Sequence, residues 1–127
     1  MAEKTAKFRF LGYKITNAQI KVDEGMEISK KFNVNFERTE SVSDEEHKMR
    51  LNLSTKIDDE NKAMHIEIKA SGIFEFDNDI SDAERNTFFR TSAPAILFPY
   101  IRAYVGTLSS LSGIRPVILP TLNLSKR

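Results

Sequence analysis

The chain has 127 residues, of which 40% are hydrophobic and 29% charged, with nineteen Lys and Arg against eighteen Asp and Glu for a net charge of +1. That is one domain with enough apolar material for a core, which excludes a disordered chain. The near-neutral balance lacks the basic excess of a dedicated nucleic-acid binder. The absence of cysteine excludes thiol catalysis, disulfide frameworks and Cys-based zinc sites. The N-terminus carries no apolar signal-peptide core, and the longest apolar stretch, Ala93 to Tyr100, is broken by Pro94 and Pro99. It falls far short of the ~20 residues a membrane span needs, so a cytoplasmic protein without membrane insertion is expected.

The first half reads as strands. Phe8-Arg9-Phe10, Tyr13-Lys14-Ile15 and Ile20-Lys21-Val22 alternate apolar with basic residues, and Gly12 and Thr16-Asn17 break the register as a bulge would. Phe32, Val34 and Phe36 alternate against Asn33, Asn35 and Glu37, and Met49, Leu51, Leu53, Thr55 and Ile57 form the cleanest period-two run. Asp58-Asp59-Glu60-Asn61 is a polar turn, after which Met64, Ile66, Ile68 and Ala70 face one side and His65, Glu67 and Lys69 the other. Half-polar strands of this kind make an antiparallel sheet with one wet face.

Beyond Asp79 the period changes. Ser81-Asp82-Ala83-Glu84 is a capping box that opens a short helix over about 82–91. Pro94 suits the first turn of a second helix, bent early by Pro99 and ended by Gly113. That helix carries Leu97, Tyr100, Ile101, Tyr104, Val105, Leu108 and Leu111 at spacings of three and four. Strands followed by helices give an α+β fold: one domain over 1–127, a four-stranded antiparallel sheet covered by a short and a long helix.

Catalytic material is sparse. His65 and Glu67 share a strand face, but nothing supplies a nucleophile, and a solvated face with cross-strand charge pairs explains them. His47 follows Asp44-Glu45-Glu46, which reads as a solvated acidic loop rather than a metal site. No two glycines lie close enough to cradle a phosphate. Nine Phe and three Tyr, with a helix whose apolar stripe spans two faces, point instead to an interface or a groove.

Ser71-Gly72-Ile73-Phe74 at a strand end, then Ala93-Pro94-Ala95-Ile96-Leu97-Phe98-Pro99-Tyr100-Ile101-Arg102, resemble the SecB family of bacterial protein-export chaperones. Leu111-Ser112-Gly113, Arg115-Pro116 and Leu122-Asn123-Leu124 are similar to the continuation of that signature. The likeness spans residues 8–124 and is specific over 70–124. It implies a holdase without enzymatic activity, ATP site or cofactor that keeps unfolded or nascent chains competent for export. It implies a homotetramer built as a dimer of dimers, with client polypeptides as partners and SecA as the export motor that receives them. An alternative within the resemblance is a SecB-like chaperone dedicated to one partner such as an antitoxin. From a different class, a small-ligand-binding α+β domain using a pocket near His65 and Glu67 is the competing reading.

By position in the family, Phe32, Val34, Phe36, Val42, Ile118, Leu119, Leu122 and Leu124 would line the peptide groove. Leu97, Ile101, Tyr104, Val105, Leu108 and Leu111 would form the oligomer interface. The family's acidic SecA-facing surface maps to Gln19, Asp23 and Glu67, so it retains two carboxylates here. The family's pattern also runs on past the position of Asn123 into a second long helix and an acidic or mixed tail.

Overall fold

The computed structural model describes residues 7–120. Four strands, β1 (Phe8–Val22), β2 (Phe32–Ser43), β3 (Lys48–Asp59) and β4 (Met64–Phe76), form one antiparallel sheet in the order β1-β4-β3-β2. β2, β3 and β4 follow one another as hairpins. β1 pairs with β4, so the connection over residues 23–31 crosses from one sheet edge to the other in a Greek key. The turns place His47 and Lys62 in the left-handed region, at φ of 56° and 60°.

The central strands show why the alternating residues make a sheet. Met49, Leu51, Leu53, Thr55, Ile57 and Asp59 of β3 and Met64, Ile66, Ile68, Ala70, Gly72, Phe74 and Phe76 of β4 are all buried on one face. Their neighbours in sequence stand on the other, partly wet face. The expected interruption of β1 is two register shifts, between Phe10 and Gly12 and between Ile15 and Asn17. They bend the edge strand so that Phe8 stacks on Phe74 at 5.0 Å and on Phe88 at 4.9 Å.

A helical layer lies on the inner face. α1 (Asp82–Thr87) opens with the expected capping box: Ser81 Oγ accepts from the Glu84 amide and Glu84 accepts from the Ser81 amide, each at 3.1 Å. That geometry holds the Glu84 carboxyl below the usual carboxylate range, chiefly through the Ser81 backbone N–H. The sequence suggests two separate helices. Instead a π-helical turn (Phe88–Ser92) joins α1 to α2 (Ala93–Leu111), and the backbone stays helical across both junctions. The turn puts Phe89 inward, edge-on to Phe76 at 5.5 Å.

Leu97, Ile101 and Val105, four residues apart on α2, are fully buried in the core. A Cβ at Gly72 would come within 3.2 Å of the Phe74 ring and 3.4 Å of Leu97, so the missing side chain is what lets the helix sit this close to β4. α2 ends at Gly113, whose φ of +84° reverses the chain as expected of a helix-terminating glycine. The chain then runs back beside α2. Val117 donates its amide to Ser109 Oγ at 2.7 Å, while that hydroxyl donates to the Val105 carbonyl at 2.8 Å. Val117 and Leu119 are buried, whereas Pro116, Ile118 and Pro120 face out. No helix of the described residues is long and apolar enough to cross a membrane.

Candidate functional site: an apolar groove between the crossover and the segment after the long helix

The crossover is short and polar at its ends, and hydrogen bonds fasten it along with the packing of Ile28 against the core. Asp23 donates its amide to the Ala63 carbonyl at 2.7 Å, and its carboxylate accepts from the Gly25 amide at 2.9 Å, which turns the chain. Asn61 Nδ2 donates to the Glu27 carbonyl at 3.0 Å, and the Glu60 amide donates to the Lys31 carbonyl at 2.9 Å. The central anchor is Asp59. It is buried at the end of β3, and its carboxylate accepts from the Ser29 amide at 2.8 Å and the Met64 amide at 2.9 Å. Burial pushes this carboxyl up, but the N–H groups of Ser29, Met64, Ala63 and Asn61 outweigh it and leave the group below its ordinary value. One side chain thus fastens the crossover to the β3–β4 turn.

These bonds fix the crossover while Met26 and Phe32 stay exposed and Ile28 packs partly against the core. Met26, Ile28 and Phe32 on one wall, with Ile114, Pro116 and Val117 on the other, line a groove of about 540 Å³. Phe32 is 38% exposed, and Ile118, the next outward residue beyond Val117, is 80% exposed. Lys30 and Arg115 stand one on each wall and Glu27 on the crossover wall. Concave apolar surface with few polar groups suits an extended apolar ligand held by burial, at roughly 25 cal/mol per Å².

The structure distributes the expected groove residues unevenly. Phe32 lines the groove and Ile118 stands exposed beside it. Val34 and Phe36 lie on the inner sheet face, half-buried against the core, with Phe36 edge-on to Phe98 at 5.5 Å. Val42 lines a separate cleft of about 430 Å³ with Ser41, Lys48 and Met49, at the opposite end of β2. Leu119 is buried, because the alternation of the returning segment turns it inward, so it lines the core and not the groove. Leu122 and Leu124 lie outside the described residues. The groove also uses Met26, Ile28, Ile114, Pro116 and Val117, none of which was singled out from the sequence for this role. The signal for the first two was present: two apolar residues alternating inside the charged run Asp23 to Lys31.

The expected interface divides in the same way. Leu97, Ile101 and Val105 are covered by the chain's own sheet and are not available to a partner. The two-faced stripe of α2 leaves Tyr104 (39% exposed) and Leu111 (82% exposed) outward, while Leu108 is half-buried against the core. Tyr100 is exposed too and stacks on Tyr13 of β1 at 4.3 Å. Both expected carboxylates, Asp23 in the crossover and Glu67 on β4, are engaged. Asp23 closes its own turn, while Glu67 lies 3.7 Å from Lys56 and accepts from Asn17 at 3.3 Å. Gln19 pairs in register with Glu67, and His65 Nδ1 lies 2.8 Å from Asp58. His65 is therefore tied to Asp58 by a hydrogen bond and Glu67 pairs with Lys56, both on the outer sheet face rather than lining a closed pocket. His47 stacks on Phe76 at 6.0 Å, and no cluster of three or more His, Cys, Asp or Glu among the described residues could hold a metal ion.

The family model for SecB, the preprotein translocase subunit, matches residues 11–126. The chain belongs to the SecB family. Among its relatives, the protein-export protein SecB of Orientia tsutsugamushi (strain Boryong) is 26% identical over 110 residues, covering 87% of this chain and 68% of that protein. SecB of Neisseria meningitidis (strain Z2491) is 32% identical over 71 residues, covering 56% of this chain and 48% of that protein. The uncharacterized protein MJ0357 of Methanocaldococcus jannaschii is 31% identical over 77 residues, covering 61% and 49%. The chain thus spans about two thirds of the length of some export-protein relatives and about half of others. A solved structure of the Mycobacterium tuberculosis Rv1957 SecB-like chaperone, in complex with a ChAD peptide from the Rv1956 HigA1 antitoxin, superposes with a TM-score of 0.76. At 15% identity, covering 91% of this chain and 88% of that one, it shares the α+β fold.

Proposed function

We propose that this SecB-family chain is a cytosolic, ATP-independent holdase whose groove between residues 26–32 and 114–117 takes extended apolar segments of unfolded polypeptides. The observation that carries this is an apolar groove in which Met26 and Phe32 stand exposed while Ile28, Ile114 and Val117 pack against the core, with each wall anchored by hydrogen bonds. No catalytic step is invoked, since burial alone supplies affinity and several shallow contacts keep binding exchangeable. Two or four copies associate through the outward face of α2, where Tyr100, Tyr104 and Leu111 leave aromatic and aliphatic surface for a partner copy. Delivery to SecA through an acidic sheet face has little support here, because Asp23 and Glu67 already have partners.

The test is suppression of aggregation of an unrelated unfolded protein without nucleotide, with the oligomer mass read on the same sample. The expected result is holding that weakens several-fold in Phe32→Asp while the circular dichroism spectrum is unchanged. Equal holding by wild type and Phe32→Asp would remove the groove from the mechanism. A second reading is favoured by the M. tuberculosis likeness: a chaperone dedicated to one partner, such as an antitoxin. An oligomer that ignores unrelated unfolded chains but binds one antitoxin segment would select it.

A further inference from the structure

We infer that the groove selects its clients by charge as well as by apolarity, favouring an apolar segment with an acidic residue beside its anchor. This rests on the holdase reading above and names the class of segment the groove prefers. The crossover sequence is polarised: Asp23, Glu24 and Glu27 stand at its β1 end, and Lys30 and Lys31 lead into Phe32. Asp23 is occupied by the Gly25 amide. Lys30 contributes to one wall of the groove and Arg115 to the opposite wall, and both are exposed. Neither has an ion-pair partner among the described residues. Lys30 precedes the apolar anchor Phe32 by two positions, and Arg115 sits between Ile114 and Pro116, which also line the groove.

A client carboxylate seated beside its apolar anchor is therefore attracted from both walls. A client cation finds Glu27 alone among the lining residues, on one wall, and repulsion from two cations. Both cations are water-exposed, so each contact is weak and salt-screened, and the pair together changes affinity by about 3–10-fold at low ionic strength. The apolar floor provides the bulk of the binding, and the two cations rank one apolar segment over another.

The experiment uses three labelled peptides with one leucine- and phenylalanine-rich core, flanked by glutamate, glutamine or lysine, titrated by fluorescence anisotropy. Wild type and a Lys30→Gln/Arg115→Gln double variant are compared at low salt and at about 0.5 M salt, where charges are screened beyond a few ångströms. Wild type is expected to bind the glutamate-flanked peptide about 3–10-fold tighter than the glutamine-flanked one, with the lysine-flanked peptide weakest. The double variant and high salt should each erase that ranking, so that the three peptides bind with equal affinity. Equal affinities in wild type at low salt, or a ranking that survives in the double variant, would overturn the inference while leaving the groove as a binding site. Failure of all three peptides to bind would refute the groove reading itself, and charge selection with it.

Discussion

Replacing Asp59 by Asn keeps the side chain's shape and removes its charge and one of its acceptor oxygens. In the native protein each oxygen takes a backbone amide, Ser29 at 2.8 Å and Met64 at 2.9 Å, in a site closed to water. The Asn side chain can keep only one of these, as a neutral bond, and turns an NH₂ group toward the other amide. A hydrogen bond to a charged acceptor contributes about 1.5–3 kcal/mol, and a stranded buried donor adds its own desolvation, so the loss at pH 7 should be about 2–4 kcal/mol. Against a typical domain stability of about 5–15 kcal/mol this is large. The sign of the pH dependence follows from the lowered carboxyl. Because the folded group titrates below the unfolded one, its stabilisation is complete above the unfolded value near 3.9 and is lost as pH falls through the folded value. Urea unfolding of wild type and Asp59→Asn at pH 7 and at successively lower pH should show a gap that narrows toward acid. At pH 7 the variant should also bind groove peptides more weakly, since Ser29 belongs to the crossover wall. A gap under about 1 kcal/mol at neutral pH, or one of constant size down to the acid limit, would refute this account of how the crossover is held.

Three further outcomes follow from single positions. Thr55 Oγ1 is buried and finds no hydrogen-bond partner among the described residues, so Thr55→Val should leave the urea midpoint unchanged or raise it, by up to about 1–2 kcal/mol of stability; a clear loss would mean that the hydroxyl has a partner. Gly72→Val should cost about 1–3 kcal/mol through overpacking, because Phe74 and Leu97 already stand at the limit for a single added carbon, and thermal unfolding would read it. Tyr104→Glu combined with Leu111→Glu should lower the mass measured by light scattering without changing the helix signal, as both side chains are exposed in the single chain; an unchanged mass would place the interface elsewhere.

Local rules carried most of the fold. β3 and β4 were legible because their inward residues alternate without a gap, and the bulges of β1 because Gly12 and Thr16-Asn17 interrupt an otherwise regular pattern. The Ser81–Glu84 box and Gly113 marked the ends of the helical stretch through short-range hydrogen bonding and a left-handed backbone. Alternation does not say which strand is neighbour to which, so the pairing of β1 with β4 rather than β2 was not readable locally. The π-helical turn has no signature in Phe88-Phe89-Arg90-Thr91-Ser92. The two-faced stripe of α2 left open which half meets the sheet, and the structure assigns it by chemistry: aliphatic Leu97, Ile101 and Val105 inward, Tyr100 and Tyr104 outward. The groove was hardest, because its walls are far apart in sequence and meet only through the Greek-key crossing and the reversal at Gly113.

The two walls are built on one principle. Asp59 fixes the crossover through the Ser29 amide, and Ser109 fixes the returning segment through the Val117 amide, each a buried polar side chain gripping a backbone N–H. Each wall also buries part of its apolar set, Ile28 on the crossover and Val117 and Leu119 on the returning segment. A wall held by its backbone can leave Met26, Phe32 and Ile118 facing outward at fixed positions. The arrangement also separates stability from recognition. Changes at Phe32 or Ile118 should alter what is held without altering the fold, whereas changes at Asp59 or Ser109 should loosen a wall before any client arrives. Preorganised walls lower the ordering cost of binding, which is what allows a shallow and largely apolar groove to retain an extended segment without an energy source.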